Sequence, residues 1–132
     1  MGEIVVKALV VDGENVLVVR RSEKDSQNPS TWELPGGRLE ENESPADGLK
    51  REAREETGLD VSVQNPLTVS QFASPEGQKV VMIVFLAKKV SGELKPSSEH
   101  SQAKWLPLKE AKIVIHSSYA DAIGAFERNF WK

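Results

Sequence analysis

The sequence predicts an α/β (α+β) domain, a mixed β-sheet flanked by helices, and three observations carry that reading. β-branched runs recur at 4–11, 16–20, 61–70 and 80–90, a capped acidic helix is written between Ser44 and Gly58, and apolar residues after Ser118 fall at helical spacing.

Ile4 to Val11 and Val16 to Arg20 are strand-like runs separated by Asp12-Gly13-Glu14-Asn15, a hairpin signal, so they should be adjacent strands. Ser22 to Thr31 is polar, carries the breaker Asn28-Pro29, and reads as a surface loop. Trp32-Glu33-Leu34 is a short extended piece ending at Pro35-Gly36-Gly37, where proline and two glycines argue against regular structure. A helix follows. Ser44 can cap it, Pro45 suits its first position, Asp47 complements its dipole and Gly58 supplies a left-handed stop. Val61 to Ser70, Gln71 to Ala73 and Val80 to Val90 read as strands, with Ser74-Pro75-Glu76-Gly77 as a turn. Ser91 to Lys104 reads mostly as loop, Trp105-Leu106-Pro107 as a last short strand, and Leu108 to Lys112 as a helical turn or two. Tyr119, Ala122, Ile123, Phe126 and Phe130 share one face of a C-terminal amphipathic helix.

The 132 residues suit a single domain, 1–132. Leu, Ile, Val and Phe total 35 residues, enough to repay the ordering entropy of a packed core. With no cysteine, disulfides, thiolate metal sites and thiol nucleophiles are excluded, and a metal must be held by oxygen or by one of two histidines. No apolar stretch approaches the roughly 20 residues of a membrane span, and the N-terminus has no basic region of a signal peptide. A cytoplasmic location is the expectation. The formal charge is −3, yet residues 37–60 alone carry four basic and eight acidic side chains, leaving +1 for the remainder. Acidity is local. Nothing in the global charge seeks nucleic acid or an anionic membrane, whereas a concentrated carboxylate cluster is a reason to seek a divalent cation.

On a helix, Glu52, Glu55 and Glu56 stand at i, i+3 and i+4 and share one arc, beside an apolar stripe of Ala46, Leu49 and Ala53. The helix can therefore bury one side and aim acids sideways. Glu52 and Glu56 repel by a few tenths of a kcal/mol, a liability that a cation would remove. Taken alone, Arg51 to Glu56 also suits a solvated surface helix whose acids pair with Lys50, Arg51 and Arg54.

The wider context is Gly37, five residues, Glu43, seven residues, then Arg51-Glu52-Ala53-Arg54-Glu55-Glu56-Thr57-Gly58-Leu59. This pattern resembles the Nudix box. It fixes seven identities in 23 positions, and at about one in fifteen per position a chance match is about one in a hundred million per window. The approach Trp32-Glu33-Leu34-Pro35-Gly36-Gly37 is similar to that family too, and the order of elements covers essentially the whole chain. Ala53 departs from the pattern, where a bulkier aliphatic residue is more usual. The resemblance implies the Nudix fold, a mixed sheet sandwiched between helices, and hydrolysis of a nucleoside diphosphate linked to another group. It also implies Mg2+, with Mn2+ as a substitute, neutralising the substrate diphosphate and lowering the pKa of a bound water. Glu52 and Glu56 match the principal metal ligands, with Glu55 and the Gly37 carbonyl as further ones. Glu43 and Arg51 match positions that orient the glutamates by salt bridging.

Glu99, on the late loop before Trp105, resembles a further glutamate of relatives that serves as ligand or base; a solvated loop acid is the other reading of it. The catalytic candidates are therefore Glu52, Glu55 and Glu99. Arg21, ending the second strand, resembles a phosphate-contacting arginine. His100 and His116 read as surface or packing histidines, because hard-cation chemistry does not need imidazole. Trp32, Trp105 and Trp131 read as core or rim aromatics. Pro75 resembles a mark of ADP-ribose hydrolases, but its surroundings are those of an ordinary turn. The expected partner is a small-molecule nucleotide, not nucleic acid or membrane, and a homodimer is left open. The alternative function is a catalytically silent nucleotide-binding Nudix module; a calcium loop is excluded because no Asp-x-Asp-x-Asp-Gly pattern occurs.

Overall fold

In the computed structural model, which describes residues 2–24, 30–95 and 100–131, the alternation of the first strand decides how the layers form. Along β1 (Glu3–Asp12), Val6, Ala8 and Val10 enter one buried cluster while Leu9 enters another on the opposite face. A strand buried on both faces must be covered on both. The first cluster is closed by Leu49 and Ala53 of α1 (Pro45–Thr57), and Ala53 is fully buried there. Leu108 and Ala111 of α2 (Leu108–Val114) and Ala122, Ile123 and Phe126 of α3 (Ala120–Asn129) close the second. Burying a side chain such as Leu49 contributes about 2 kcal/mol.

The sheet is mixed. β2 (Asn15–Arg21) returns antiparallel to β1 through the pairs Val11 with Val16 and Asp12 with Asn15, as the turn sequence requires. Beyond that turn the hairpin splays: β2 pairs instead with β3 (Trp32–Glu33) and with β7 (His100–Pro107), and β1 with β4 (Gly36–Arg38). On its other edge β1 runs parallel to β6 (Lys79–Gly92), which pairs antiparallel with β5 (Leu59–Ala73).

Four expectations need correction. Gly36-Gly37 does not interrupt regular structure but forms β4, because glycine alone permits the approach: a Cβ on Gly36, at φ 143°, would lie 2.0 Å from the Val6 carbonyl oxygen. Residues 61–73 form one continuous strand rather than two, since bulges around Pro66 absorb the residue that cannot donate to the ladder. The last strand begins at His100, not Trp105. Its residues alternate between faces of unequal burial, so no apolar run announces it, and the rest of the predicted loop reaches into 96–99, outside the described residues, as 25–29 of the earlier loop do. Phe130 stacks on Phe126 with centroids 6.5 Å apart yet stays 40% exposed, because α3 ends at Asn129. A short 3-10 turn, Ser117–Tyr119, leads into α3 and buries Tyr119.

Candidate active site

Helix α1 is positioned by its ends. The Ser44 side chain accepts from the Asp47 N–H at 3.1 Å, and Gly58, at φ 78°, closes the helix with its N–H on the Arg54 carbonyl. With both ends set, Glu52 and Glu56 face β4 across the wall of a cleft of about 1100 Å³. A Cβ on Gly37 would lie 2.8 Å from the Glu52 carboxyl, so the absent side chain makes the space in front of that acid. Glu56 is 8% exposed, accepts the Gly36 N–H at 3.1 Å and has the His100 Nε2 3.4 Å away. Burial pushes the Glu56 carboxyl up, Lys7 opposes, and a hydrogen bond and negative charge from Glu52 add to the rise, giving about 8. A cation placed between the two acids would remove the repulsion that Glu52 exerts on a charged Glu56.

The box arginine ties the acids together. Arg51 grips Glu43 through two bonds, Nε to Oε2 at 2.7 Å and Nη2 to Oε1 at 3.0 Å, and also donates to Glu52 at 3.1 Å and Glu55 at 3.2 Å. The hydrogen bond from Arg51 holds the Glu43 carboxyl down at about 2. Glu55 stands apart from Glu52 and Glu56: it is 59% exposed, against Arg51, and does not line the cleft.

The same cleft is lined by a second charged group. Lys7, on the face of β1 opposite Val6, donates to the carbonyls of Leu34 at 3.3 Å and Gly36 at 3.5 Å and stands 3.8 Å from Glu33. Glu33 also receives the Arg21 Nε–H and, at 2.8 Å, the Tyr119 hydroxyl. Phe72, Val80, Met82 and the hairpin turn at Ser74 and Pro75 complete the wall.

The donor set suits a hard divalent ion. Two adjoining carboxylates and a backbone carbonyl at a side-chain-free residue are all oxygen. Among the described residues no three acid or imidazole side chains form a ready cage, so the remaining coordination positions would belong to water and substrate oxygens.

The NUDIX domain family matches residues 2–126. The chain belongs to the Nudix family. A crystal structure of a MutT protein from Methanosarcina mazei Go1 superposes with a TM-score of 0.85 and 30% identity, over 99% of this chain and 96% of that one. The 8-oxo-dGDP phosphatase NUDT18 of Danio rerio is 35% identical over 128 residues, 89% of this chain but 37% of that protein. The ADP-ribose pyrophosphatase of Methanocaldococcus jannaschii is 33% identical over 76% of this chain and 62% of its own length. This Nudix chain thus spans between a third and two thirds of those two relatives.

In this Nudix chain Glu52, Glu56, Gly37 and Arg21 all line one cleft, with Glu43 and Arg51 behind the helix acids. Glu99 lies outside the described residues. Of the two readings of His100, surface or packing, the structure excludes the surface one: its side chain is 9% exposed and faces Glu56. His116 is exposed and caps the 3-10 turn by accepting from the Ser118 N–H. Lys7, Glu33 and Tyr119 were signalled only faintly, by a lysine inside an apolar strand. Lys104 lies over the Trp32 ring at 4.8 Å, and Trp131 packs on Phe126. Among the described residues no helix is long and apolar enough to cross a membrane.

Proposed function

We propose that this chain is a Mg2+-dependent hydrolase of the pyrophosphate linkage in a nucleoside diphosphate derivative, a nucleoside triphosphate or an ADP-ribose-like molecule, with Mn2+ able to replace Mg2+. The observation that carries this reading is the pair Glu52 and Glu56, adjoining and partly desolvated against the Gly36-Gly37 backbone. Glu52, Glu56 and the Gly37 carbonyl would hold the ion, with Glu55 and Glu99 as the acids that can join them. When bound there, a divalent ion supplies charge neutralisation of the diphosphate and a lowered pKa of a coordinated water.

The chain's own residues do the rest. Arg51, held by Glu43, keeps Glu52 turned toward the cleft, while Gly36 and His100 fix Glu56. Arg21, which lines the same cleft, meets the phosphate end of the substrate. Glu52, Glu55 and Glu99 are the candidates to take the proton of the attacking water, which must stand within hydrogen-bond reach of its base. The similarity to an 8-oxo-dGDP phosphatase favours purine nucleotides, oxidised or ordinary, and the similarity to an ADP-ribose pyrophosphatase supports keeping ADP-ribose. Pro75 adds little. Its turn is closed by ordinary bonds, from the Gly77 N–H to the Ser74 carbonyl at 2.8 Å and from the Gln78 N–H to the Ser74 hydroxyl at 3.0 Å. The partner is a small nucleotide rather than nucleic acid or membrane.

The test is a panel with Mg2+: nucleoside tri- and diphosphates with and without 8-oxoguanine, ADP-ribose, dinucleoside polyphosphates and nucleotide sugars, scored by phosphate products. At least one is expected to be split at a phosphoric anhydride. Binding of a nucleotide with no hydrolysis of any would instead favour the silent module, against which the intact charged positions of the box argue.

A further inference from the structure

Four ionisable groups from four elements, Lys7, Arg21, Glu33 and Tyr119, converge in the same cleft as Glu52 and Glu56, and the metal site uses none of them. Glu33 sits at their centre: its residue is 8% exposed, one carboxyl oxygen takes the Arg21 Nε–H, and the other takes the Tyr119 hydroxyl and faces Lys7. Burial pushes Glu33 up, but Lys7 and then Arg21 outweigh it and hold the carboxyl below its ordinary range. Burial, against the pull of Lys7, raises the Tyr119 hydroxyl to about 12, and Lys7 stays above the ordinary lysine value because Tyr119, Glu33 and Glu56 outweigh its burial. At neutral pH the group therefore holds two cations, one anion and a neutral hydroxyl. Its net charge is +1, in the cleft that the acids also line.

Arg21 is the member nearest solvent, 30% exposed and lining the cleft. A guanidinium on a strand end has several rotamers, and holding one costs side-chain entropy. Gripping it through Nε fixes the plane of the fork, which is what recognition of phosphate oxygens by arginine needs. Glu33 can do this only while it is itself held. Tyr119, 86 residues away in sequence, and Lys7 of β1 hold it.

We propose that Glu33 is a positioning residue that aims the Arg21 guanidinium at the diphosphate of the substrate, with Tyr119 and Lys7 as its supports. This rests on the cleft being a diphosphate site, as in the function proposed above. It makes the seating of the C-terminal segment, through Tyr119, a condition of substrate binding.

The probe is methylenediphosphonate with Mg2+, a diphosphate that cannot be hydrolysed, titrated by calorimetry into the full chain. Glu33→Gln and Arg21→Ala should each weaken its Kd about tenfold, the loss expected for a charged hydrogen bond. The double variant should be no worse than Arg21→Ala alone, because both remove one unit. Arg21→Lys, which keeps the charge and loses the fork, should lose as much, and Tyr119→Phe about twofold. With the best nucleotide, Glu33→Gln should raise KM far more than it lowers kcat. The Arg21 Nε–H resonance, slow to exchange in the wild type, should exchange fast in Glu33→Gln. If Glu33→Gln fails to fold, Arg21→Lys and Tyr119→Phe decide alone. Wild-type affinity in Arg21→Lys, or additive losses in the double variant, overturns the proposal, as does a change in base preference with methylenediphosphonate binding intact. A wild-type chain that binds the probe but hydrolyses no nucleotide would sink the hydrolase reading and leave this one standing. A wild-type chain that does not bind it sinks both.

Discussion

Glu56→Gln is expected to lower turnover by orders of magnitude while the chain folds as before. The glutamine has the same shape, its amide oxygen can still accept the Gly36 N–H that Glu56 accepts at 3.1 Å, and its amide nitrogen can donate to Glu52, the neighbour that hydrogen-bonds Glu56. Nothing buried is left unpaired, so the stability cost named for broken polar networks does not arise. What disappears is one of two anionic oxygen ligands at the cleft wall. The checks are a steady-state rate and a thermal melt of the same sample. A variant with wild-type turnover would place the ion elsewhere, and one that fails to fold would mean that the Glu56 charge supports the fold.

The second large effect is on stability against pH. Glu56 titrates from about 4.5 when unfolded to about 8 when folded without metal. Between those values the folded chain binds more protons than the unfolded one, so stability falls as pH rises through this window. The contribution is fully present below about 4.5 and lost above about 8, and for a shift of this size it is on the order of a few kcal/mol. Metal-free protein should thus melt at a lower temperature at pH 8.5 than at pH 6. Mg2+ should raise the melting temperature more at pH 8.5, where it no longer competes with the proton, and Glu56→Gln should flatten the profile. A melting temperature that rises steadily from pH 6 to 8.5 without metal would contradict this account.

Local signals account for what was legible in the sequence. Ser44, Pro45 and Gly58 mark both ends of α1, and the spacing of Glu52 and Glu56 on that helix puts both on one wall, because helix geometry is determined by near neighbours. Glycine was readable as special at 36 and 37 but not in its sense. Its freedom serves the close pairing of β4 with β1, which depends on a strand 30 residues away. The start of β7 at His100 was hidden for the same reason: its pairing with β2 supplies the hydrogen bonds, and its own residues, although they alternate, form no apolar run. The Glu33 cluster is the extreme case. Its members come from β1, the end of β2, β3 and the 3-10 turn before α3, and no local spacing brings residues 7, 21, 33 and 119 together. A lysine within an apolar strand was the one available hint that a buried charge needed partners.

The most direct test of the central claim is the rate of hydrolysis of the best nucleotide in the presence of a chelator, followed by addition of Mg2+ or Mn2+. The account predicts no turnover above background in chelator and recovery with either ion, with Glu56→Gln recovering far less at the same concentration. A full rate in chelator would contradict it, because the charge neutralisation and the activated water that the ion is held to supply would then be dispensable.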